Sequence, residues 1–302
     1  MKRITAALLA LVIVMLCMTA GAERDARRVF YKGEVPDIPR DEILFELYVA
    51  PTIGSDGMLM VSGGQTMVVD GCSSGQYVRL HDIIEGLGIK RINTVFNTHP
   101  HGDHLGGILQ LLGDYPADCF MTAFPDEVIK DTIQLRVLNA ARKAGTPVRI
   151  VKDGEKIRFG NAELTVMRQN KYGDNLNLLS AMLMVKVGEC RLLLTADAEG
   201  LAQRYYVEHG YDLKADIMKC PHHGTGKIEE SFLDAVSPEA VFITHNYFNS
   251  GDGRNSLERR GIPYGISSFG PIHIMTDGKR WIIDHQISED KELQMKNSRA
   301  SF

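Results

Sequence analysis

Asn97-Thr98-His99-Pro100-His101-Gly102-Asp103-His104 is a segment that holds three histidines and one carboxylate within six residues. A largely apolar run at 92–96 precedes it, and a second apolar run at 105–109 follows it. This order predicts a strand, then a tight loop, then the beginning of a helix. The segment therefore predicts a dense group of polar side chains at the point where a strand ends.

The spacing within this segment predicts two neighbouring metal positions. His99 and His101 are two residues apart at the strand end, so their side chains can point the same way. Asp103 and His104 follow where the backbone turns, and they can face a second position close by. Imidazole and carboxylate suit zinc, manganese or iron. The alternative is a polar turn with solvated histidines, and later segments that supply further ligands argue against it.

The spacing resembles the HxHxDH signature of the metallo-β-lactamase superfamily. The chain also opens as that superfamily does, with a strand, a glycine-rich loop, a strand and then Asp70-Gly71. The resemblance implies that Asp56 and Asp70 support the metal loop through hydrogen bonds to its histidines. Ordinary turn aspartates are the alternative for both positions.

The strand and helix patterns alternate without internal repeats. This fits an α/β fold of the metallo-β-lactamase type, an αββα sandwich with two mixed sheets inside and helices outside. The 302 residues, 44% of them hydrophobic, are ample for one such domain at 43–287. The predicted strands lie at 43–49, 58–61, 66–71, 92–96, 148–151, 162–167, 181–187, 190–194, 215–220, 241–246, 272–275 and 280–283. The predicted helices lie at 76–87, 127–144 and 198–210.

The N-terminal segment reads as a secretory signal peptide. Lys2 and Arg3 precede an apolar run at 6–17, and Ala20-Gly21-Ala22 gives a cleavage pattern. The prediction is a signal peptide at 1–22, a leader at 23–42 and a polar tail at 288–302, in a protein exported to the periplasm, the cell surface or the medium. An uncleaved anchor and a lipoprotein are the alternatives. No later stretch is apolar enough to span a membrane, and the sequence does not define the oligomeric state.

Charge and cysteine content limit the possible partners. Removal of 1–22 takes away two basic residues and no acidic one, so the formal charge changes from −4 to −6. A mildly acidic protein has no global attraction for nucleic acid, although bound divalent metals would change the local field. Cys72, Cys119, Cys190 and Cys220 are widely spaced, and buried free thiols are expected.

One expected ligand of the superfamily is missing. No histidine lies between His104 and Asp197, where most members place the third ligand of the first metal. The chain there resembles the branch that includes the hydrolase domain of ComEC-type competence proteins. That branch carries Asn-x-x-Ser before a strand, matched here by Asn177 and Ser180, and then Thr-Gly-Asp. Thr195-Ala196-Asp197 stands in that place, which implies that Asp197 bridges two metals.

The remaining candidates follow two later strands. Pro221-His222-His223-Gly224 resembles the His-His-Gly-Ser segment of the same branch. His222 is the favoured ligand, as the first residue past the strand and proline, and His223 is the alternative. His245 stands where active-site loops of this fold converge, so it is a candidate for substrate contact, with a solvated loop histidine as the alternative.

These residues give a prediction for the chemistry. His99 and His101 are expected at one divalent ion, with Asp103, His104 and His222 at the other and Asp197 between them. The ions are zinc or manganese, and Asp103, His223 and His245 are the candidate catalytic residues. Two ions about 3.5–4 Å apart can activate water and polarise a phosphoryl or carbonyl oxygen.

Three classes of function remain open. The first is an exported phosphodiesterase or nuclease acting on a small-molecule or nucleic-acid phosphodiester. The second is another hydrolase on the same fold, a lactonase, thioesterase or β-lactamase, although the missing histidine argues against a β-lactamase. The third is a metal-binding protein without catalysis. The sequence cannot name the substrate, because one fold hosts many activities.

Overall fold

The computed structural model describes residues 27–124, 132–171 and 175–287 of this chain. The predicted signal peptide and polar tail lie outside the described residues, as does the first part of the helix predicted at 127–144. No helix within the described ranges is long and apolar enough to cross a membrane.

The first sheet contains nine strands within the described residues, in the order β1-β16-β15-β2-β3-β4-β5-β6-β7. One end of this sheet is a parallel set, β4-β5-β6-β7, in which the carboxyl ends of the strands lie along the same edge. The strands are β1 (Val29–Tyr31), β2 (Phe45–Val49), β3 (Gly57–Ser62), β4 (Gln65–Gly71), β5 (Ile92–Asn97), β6 (Ala117–Thr122), β7 (Val148–Ile150), β15 (Ile272–Thr276) and β16 (Trp281–His285).

The second sheet contains seven strands within the same ranges, in the order β14-β13-β12-β11-β10-β9-β8. Strands β11 to β14 are parallel, so their carboxyl ends also share one edge. The strands are β8 (Lys156–Phe159), β9 (Ala162–Met167), β10 (Met182–Val187), β11 (Cys190–Leu194), β12 (Ile217–Lys219), β13 (Ala240–Ile243) and β14 (Tyr264–Ile266).

Helices cover the outer faces of the two sheets. The α-helices are α1 (Tyr77–Gly86), α2 (Gly102–Leu105), α3 (Ile108–Asp114), α4 (Thr132–Lys143), α5 (Gly200–Glu208), α6 (Glu230–Val236) and α7 (Gly251–Arg259). Short 3-10 turns lie at Arg40–Glu42, Pro221–Gly224 and Ser267–Phe269.

Side-chain alternation along the strands divides the core into layers. On β10, Leu183 and Val185 face the core between the sheets, whereas Met182 and Met184 face the helices that cover the second sheet. Strand β5 shows the same division, with Phe96 in the inner core and the preceding residue in the outer one. The predicted αββα sandwich is confirmed.

A close approach of two backbone segments holds the metal loop on the first sheet. A Cβ atom at Gly107 would lie 1.9 Å from the carbonyl oxygen of Gly71, so a larger residue there would push α2 off the end of β4. The Gly107 amide also donates to the Cys72 carbonyl at 2.8 Å. The glycines after His104 therefore allow the loop to lie directly against β4.

Several elements were not predicted from the sequence. Residues 249–253 were expected to form a polar loop, but α7 begins at Gly251. Val29–Tyr31, within the predicted leader, pairs with β16 as a parallel edge strand. Strands β6, β8 and β14 and helix α6 were also missed. Free thiols are confirmed for all four described cysteines, with Cys119 half-buried and the other three buried.

Candidate metal centre

The carboxyl ends of the parallel strands bring the candidate residues to one edge of the sandwich. From the first sheet come Asp70 at the end of β4 and the histidine loop after β5. From the second sheet come Asp197 after β11, the Pro221–Gly224 turn after β12, and the loop after β13. Residues far apart in sequence thus meet because parallel strands end together.

The first centre is formed by His99, His101 and one oxygen of Asp197. Nε2 of His99 lies 3.1 Å from Nδ1 of His101 and 3.6 Å from Oδ2 of Asp197. Nitrogens bound at about 2.0–2.1 Å to one tetrahedral ion lie roughly 3.3 Å apart, so the two imidazoles have the spacing of ligands to a shared cation.

The second centre is formed by Asp103, His104, His223 and the other oxygen of Asp197. Nε2 of His104 lies 3.3 Å from Nε2 of His223, and both nitrogens lie within 3.5 Å of Oδ1 of Asp197. Oδ2 of Asp103 lies 3.2 Å from Nε2 of His223. Asp197 therefore presents one oxygen to each centre.

Asp56 also lies within ligand distance of this second group, but it faces the Nδ1 atoms of His223 and His104. Its carboxylate lies 3.1 Å from Nδ1 of His223 and 3.8 Å from Nδ1 of His104, whereas the ligand atoms of those rings are the opposite nitrogens. Thr244 donates to the same carboxylate at 2.6 Å. Asp56 thus orients the histidines, as the resemblance to the superfamily implies.

Asp70 holds the metal loop in the same way. It accepts hydrogen bonds from the backbone amide and the hydroxyl of Thr98, at 2.9 and 2.6 Å, and from the side-chain amide of Asn97 at 3.0 Å. Nδ1 of His104 lies 2.7 Å from its Oδ2. A carboxylate on Nδ1 fixes the ring and leaves Nε2 free to bind a metal.

The donor atoms of both centres fit divalent cations. Both oxygens of Asp197 are buried and have no hydrogen-bond partner among the described residues, an arrangement that is costly unless a cation binds them. The carboxylates of Asp56, Asp103 and Asp197 outnumber the buried ammonium of Lys219, which lies near Asp56 and Asp197, so negative charge is in excess. A mixed set of imidazole and carboxylate ligands suits zinc, manganese or iron.

The local field reflects this excess of negative charge. Burial opposes protonation of His104 and His223, but neighbouring carboxylates outweigh it. Asp197 and Asp70 hold the pKa of His104 well above its ordinary value, and Asp197 and Asp56 raise the pKa of His223 to about 10. Burial, with His104 nearby, lowers the pKa of His99 well below its ordinary value. Positive charge is thus favoured at the second centre.

The model of the metallo-beta-lactamase superfamily matches residues 52–245, a range that contains both centres and covers more than half of the chain. The chain belongs to the metallo-beta-lactamase superfamily. The resemblance inferred from the HxHxDH spacing is confirmed. Members of this superfamily are mostly metal-dependent hydrolases, and the residues of a potential metal site are present here.

One curated relative is ComE operon protein 3 from Bacillus subtilis (strain 168), which is 26% identical over 159 residues. The match covers 52% of this chain and 20% of the relative, so the chain spans about a fifth of that protein's length. This agrees with the competence-type branch to which the sequence pattern pointed.

Two solved structures share the fold. The metallo-beta-lactamase fold protein YhfI from Bacillus subtilis is 14% identical, with a TM-score of 0.53 over 74% of this chain and 95% of that one. CmlA, a diiron beta-hydroxylase from Streptomyces venezuelae, is also 14% identical, with a TM-score of 0.56 over 80% of this chain and 55% of that one. Because one of them is a hydroxylase, the shared fold does not define the reaction.

The structure corrects the choice between the two histidines of the 221–224 turn. His222 was favoured for the second centre, but His223 lies there. Both residues have positive φ, 47° and 54°, so the alternation of the strand does not continue into the turn. His222 instead lies on the first-centre side, with Nε2 3.7 Å from Oδ2 of Asp197 and Nδ1 3.2 Å from Glu199.

Asn177 and Ser180 lie beside the first centre. The side-chain amide of Asn177 donates to Glu199 at 2.9 Å and lies 3.3 Å from Nε2 of His222. The amide of Ala181 donates to the carbonyl of Thr98 at 3.0 Å, which fixes this segment against the metal loop. Oδ1 of Asn177 and the hydroxyl of Ser180 are buried without a hydrogen-bond partner among the described residues.

His245 is buried near the second centre. Its ring centroid lies 6.5 Å from that of His223, and its Nδ1 accepts a hydrogen bond from the Asn246 amide at 2.8 Å. Burial, with His223 and His222 nearby, lowers the pKa of His245 to about 4. The ring is therefore neutral at pH 7 and carries its proton on Nε2.

Lys219 is a residue of the site that sequence reasoning missed. It is fully buried, and its ammonium lies 2.8 Å from Oδ2 of Asp56 and 3.9 Å from Oδ1 of Asp197. A signal was present in the sequence, because a lysine in the apolar strand Ile217–Lys219, three residues before His222, requires an anionic partner if it is buried.

Proposed function

We propose that this chain is a two-metal hydrolase that cleaves phosphodiester bonds. The observation that carries the proposal is the composition of the first centre. The ligand atoms of His99, His101 and Asp197 lie close enough to share one ion. His222 lies 3.7 Å from Oδ2 of Asp197, outside this group of three, and the side-chain amide of Asn177 lies 3.3 Å from its Nε2. Two imidazoles and one carboxylate oxygen within ligand distance of one another leave coordination positions that suit hard phosphoryl oxygens.

The chemistry of such a centre determines what the protein must provide. Two divalent ions held a few ångströms apart supply a nucleophile from water at neutral pH and stabilise the entering and leaving oxygens of an in-line displacement. Asp197 fixes the separation of the two centres, because its two oxygens face different groups of imidazoles. Asp56 and Asp70 hold His223 and His104 with the ligand nitrogens directed inward.

His245 adds a neutral hydrogen-bond donor near the second centre. Because its Nδ1 accepts from the backbone and its pKa is about 4, Nε2–H is available at neutral pH as a donor to a substrate oxygen. A fixed donor of this kind stabilises negative charge that develops in a transition state. His245 is therefore assigned a charge-stabilising role and not the role of a general acid.

A substrate panel tests the proposal. The protein is stripped of metal with a chelator and reloaded with manganese or zinc, then assayed with bis-p-nitrophenyl phosphate, single-stranded DNA, a lactone, a thioester and nitrocefin. Cleavage of a phosphodiester, restored best by manganese, supports the proposal. Because the chain is mildly acidic, a short phosphodiester is favoured over long nucleic acid. Hydrolysis of the lactone or the thioester with every phosphodiester left intact contradicts it.

A pair of histidine variants tests whether the metal centre is the site of the measured hydrolysis. His104→Ala removes a ligand of the second centre and is expected to abolish activity, whereas His209→Ala, an exposed histidine at the end of α5, is expected to retain it. Equal activity of the two variants would show that the measured hydrolysis arises elsewhere or from a contaminant.

We further propose that the protein is exported. The proposal rests on the basic residues Lys2 and Arg3, the apolar run at 6–17 and the cleavage pattern Ala20-Gly21-Ala22. N-terminal sequencing of protein from the host's extracytoplasmic fraction is expected to begin at Glu23. Recovery of a soluble protein that still begins at Met1 contradicts it.

A further inference from the structure

Lys219 lies near the second centre, where its ammonium makes one ion pair and two hydrogen bonds. The ammonium lies 2.8 Å from Oδ2 of Asp56 and donates to the backbone carbonyls of Ala196 and Cys220 at 2.9 and 3.2 Å. The side chain is fully buried. The cation is therefore held against three fixed parts of the site, one carboxylate and two backbone carbonyls.

A buried lysine is energetically unfavourable at this position unless its charge has a role. Transfer of an ammonium from water to the interior costs several kcal/mol even after the protein relaxes, and an apolar side chain of similar length avoids that cost. The rest of strand β12, Ile217 and Met218, is apolar and buried. Packing alone does not account for a lysine here.

The carbonyl of Ala196 connects Lys219 to the bridging carboxylate. Ala196 has φ of 46°, a left-handed conformation that is unfavourable for alanine, and it immediately precedes Asp197. Its carbonyl accepts from the Lys219 ammonium and also from the amide of His222 at 3.1 Å. These two donors stabilise the strained turn from which the Asp197 side chain extends.

The carboxylate of Asp56 connects the same ammonium to an imidazole. Asp56 lies 2.8 Å from Lys219 and 3.1 Å from Nδ1 of His223, on the side of the ring opposite the second centre. One cation thus contacts both the turn that carries Asp197 and the group that orients His223.

We propose that Lys219 is a positioning residue, whose fixed ammonium holds the Ala196–Asp197 turn and the Asp56 carboxylate so that Asp197 and His223 can bind the second ion together. This inference rests on the two-metal centre of the proposed function. It assigns Lys219 no contact with substrate. Its consequence is that the second ion depends on Lys219 more strongly than the first ion does.

Metal titration of Lys219→Met tests the inference, with Lys186→Met as the matched control. Lys186 is an exposed lysine of β10 in the same sheet. The wild type and the control are each expected to bind two manganese or cobalt ions, and the affinity for each ion is expected to be the same in both proteins. In Lys219→Met the affinity for the second ion is expected to fall roughly 10–100-fold, the loss that is typical when a residue that orients a metal ligand is removed. The affinity for the first ion is expected to change much less. Retention of wild-type affinity for both ions overturns the proposal.

The absorption spectrum of the cobalt-substituted protein gives an independent readout. Lys219→Met is expected to alter the d–d bands of the second cobalt ion, because its ligands Asp197 and His223 are displaced. Identical spectra in the variant and the wild type at full loading overturn the proposal. Both readouts are independent of the substrate, so failure of the phosphodiesterase panel with normal two-metal binding in the wild type would refute the proposed function alone.

A second pair of variants keeps the test decisive if Lys219→Met does not fold. Asp56→Asn removes the buried carboxylate that the ammonium neutralises. The double variant Asp56→Asn/Lys219→Met therefore loses the ammonium without leaving an unpaired buried carboxylate at this position. The proposal predicts that the double variant binds the second ion more weakly than Asp56→Asn alone, because the Ala196 carbonyl is no longer held. Equal affinities in these two variants overturn it and leave charge neutralisation of Asp56 as the role of Lys219.

Discussion

Nδ1 of His104 lies 2.7 Å from Oδ2 of Asp70, and both side chains are completely buried. This contact fixes the ring of His104 so that its Nε2 lies 3.3 Å from Nε2 of His223, a residue 119 positions later in the chain. Asp70, at the end of β4 in the first sheet, thus fixes the position of His104 relative to His223, which comes from the second sheet.

The first prediction concerns Asp70. In Asp70→Asn an amide nitrogen replaces one carboxylate oxygen and cannot accept from Thr98 or His104, so affinity for the second ion is expected to fall about 10–100-fold. Competition with a chromogenic chelator measures it. Asp82→Asn, at an exposed position of α1, is the control, and an unchanged affinity in Asp70→Asn would exclude this role for Asp70.

The second prediction separates the two adjacent histidines. His223→Ala is expected to lose the second ion and to reduce the hydrolysis rate at least a hundredfold, because a ligand and a charge-stabilising site are removed together. His222→Ala is expected to keep two ions and to lose less than tenfold in rate. Elemental analysis and steady-state kinetics on the same preparations decide between them, and the reverse order of effects would restore His222 as the ligand.

The third prediction concerns backbone strain at Ala196. Glycine adopts φ of 46° without the steric cost that alanine carries, so Ala196→Gly is expected to raise the free energy of unfolding by about 0.5–1 kcal/mol. Urea denaturation of the metal-loaded protein measures this change. Ala140→Gly in helix α4 is the control and is expected to lower stability by about 1 kcal/mol. A loss of stability in Ala196→Gly would show that the backbone at Ala196 is not strained.

The fourth prediction concerns Glu46, on strand β2 away from the metal centres. Burial opposes ionisation of Glu46, but hydrogen bonds from His273, Tyr48 and Arg40 outweigh it and lower its pKa to about 2. Because the folded pKa lies below the unfolded value of 4.5, the ionised group stabilises the protein above pH 4.5, and this contribution disappears as the pH falls toward 2.

Glu46→Gln is therefore expected to lower the free energy of unfolding by about 1–3 kcal/mol at pH 7, with a smaller difference from wild type at pH 3. Urea midpoints measured between pH 7 and pH 3 check this, with the exposed Glu163→Gln as the control. A difference that stays constant over this range would show that the Glu46 carboxylate is not preferentially ionised in the folded state.

Sequence patterns were sufficient for most of the strands and for the layered fold, because side-chain alternation and the HxHxDH spacing are local signals. They did not determine which of His222 and His223 enters the second centre, because two consecutive residues with positive φ interrupt the alternation. Lys219 was missed for a related reason. Its partners Asp56 and Ala196 are distant in sequence, and the parallel strands bring them together only in the folded chain.

Helix α7 shows a different limit. Ser250-Gly251-Asp252-Gly253 has the composition of a turn, and intrinsic propensity favours a loop there. In the structure, Gly253 packs against the histidine turn, where a Cβ atom would lie 2.6 Å from the Cα of Gly224. Tertiary contact with the site therefore decides the conformation of this segment, and a pattern of nearby residues does not contain that information.

Hydrolysis of bis-p-nitrophenyl phosphate, measured against the number of manganese ions bound per chain, is the decisive measurement for a two-metal phosphodiesterase. We expect little activity in the stripped protein and in the one-ion form, and a rise in rate that follows occupancy of the second ion up to two per chain. Full activity at one ion per chain, or a protein with two bound ions that cleaves a lactone or a thioester but no phosphodiester, would contradict the proposed function.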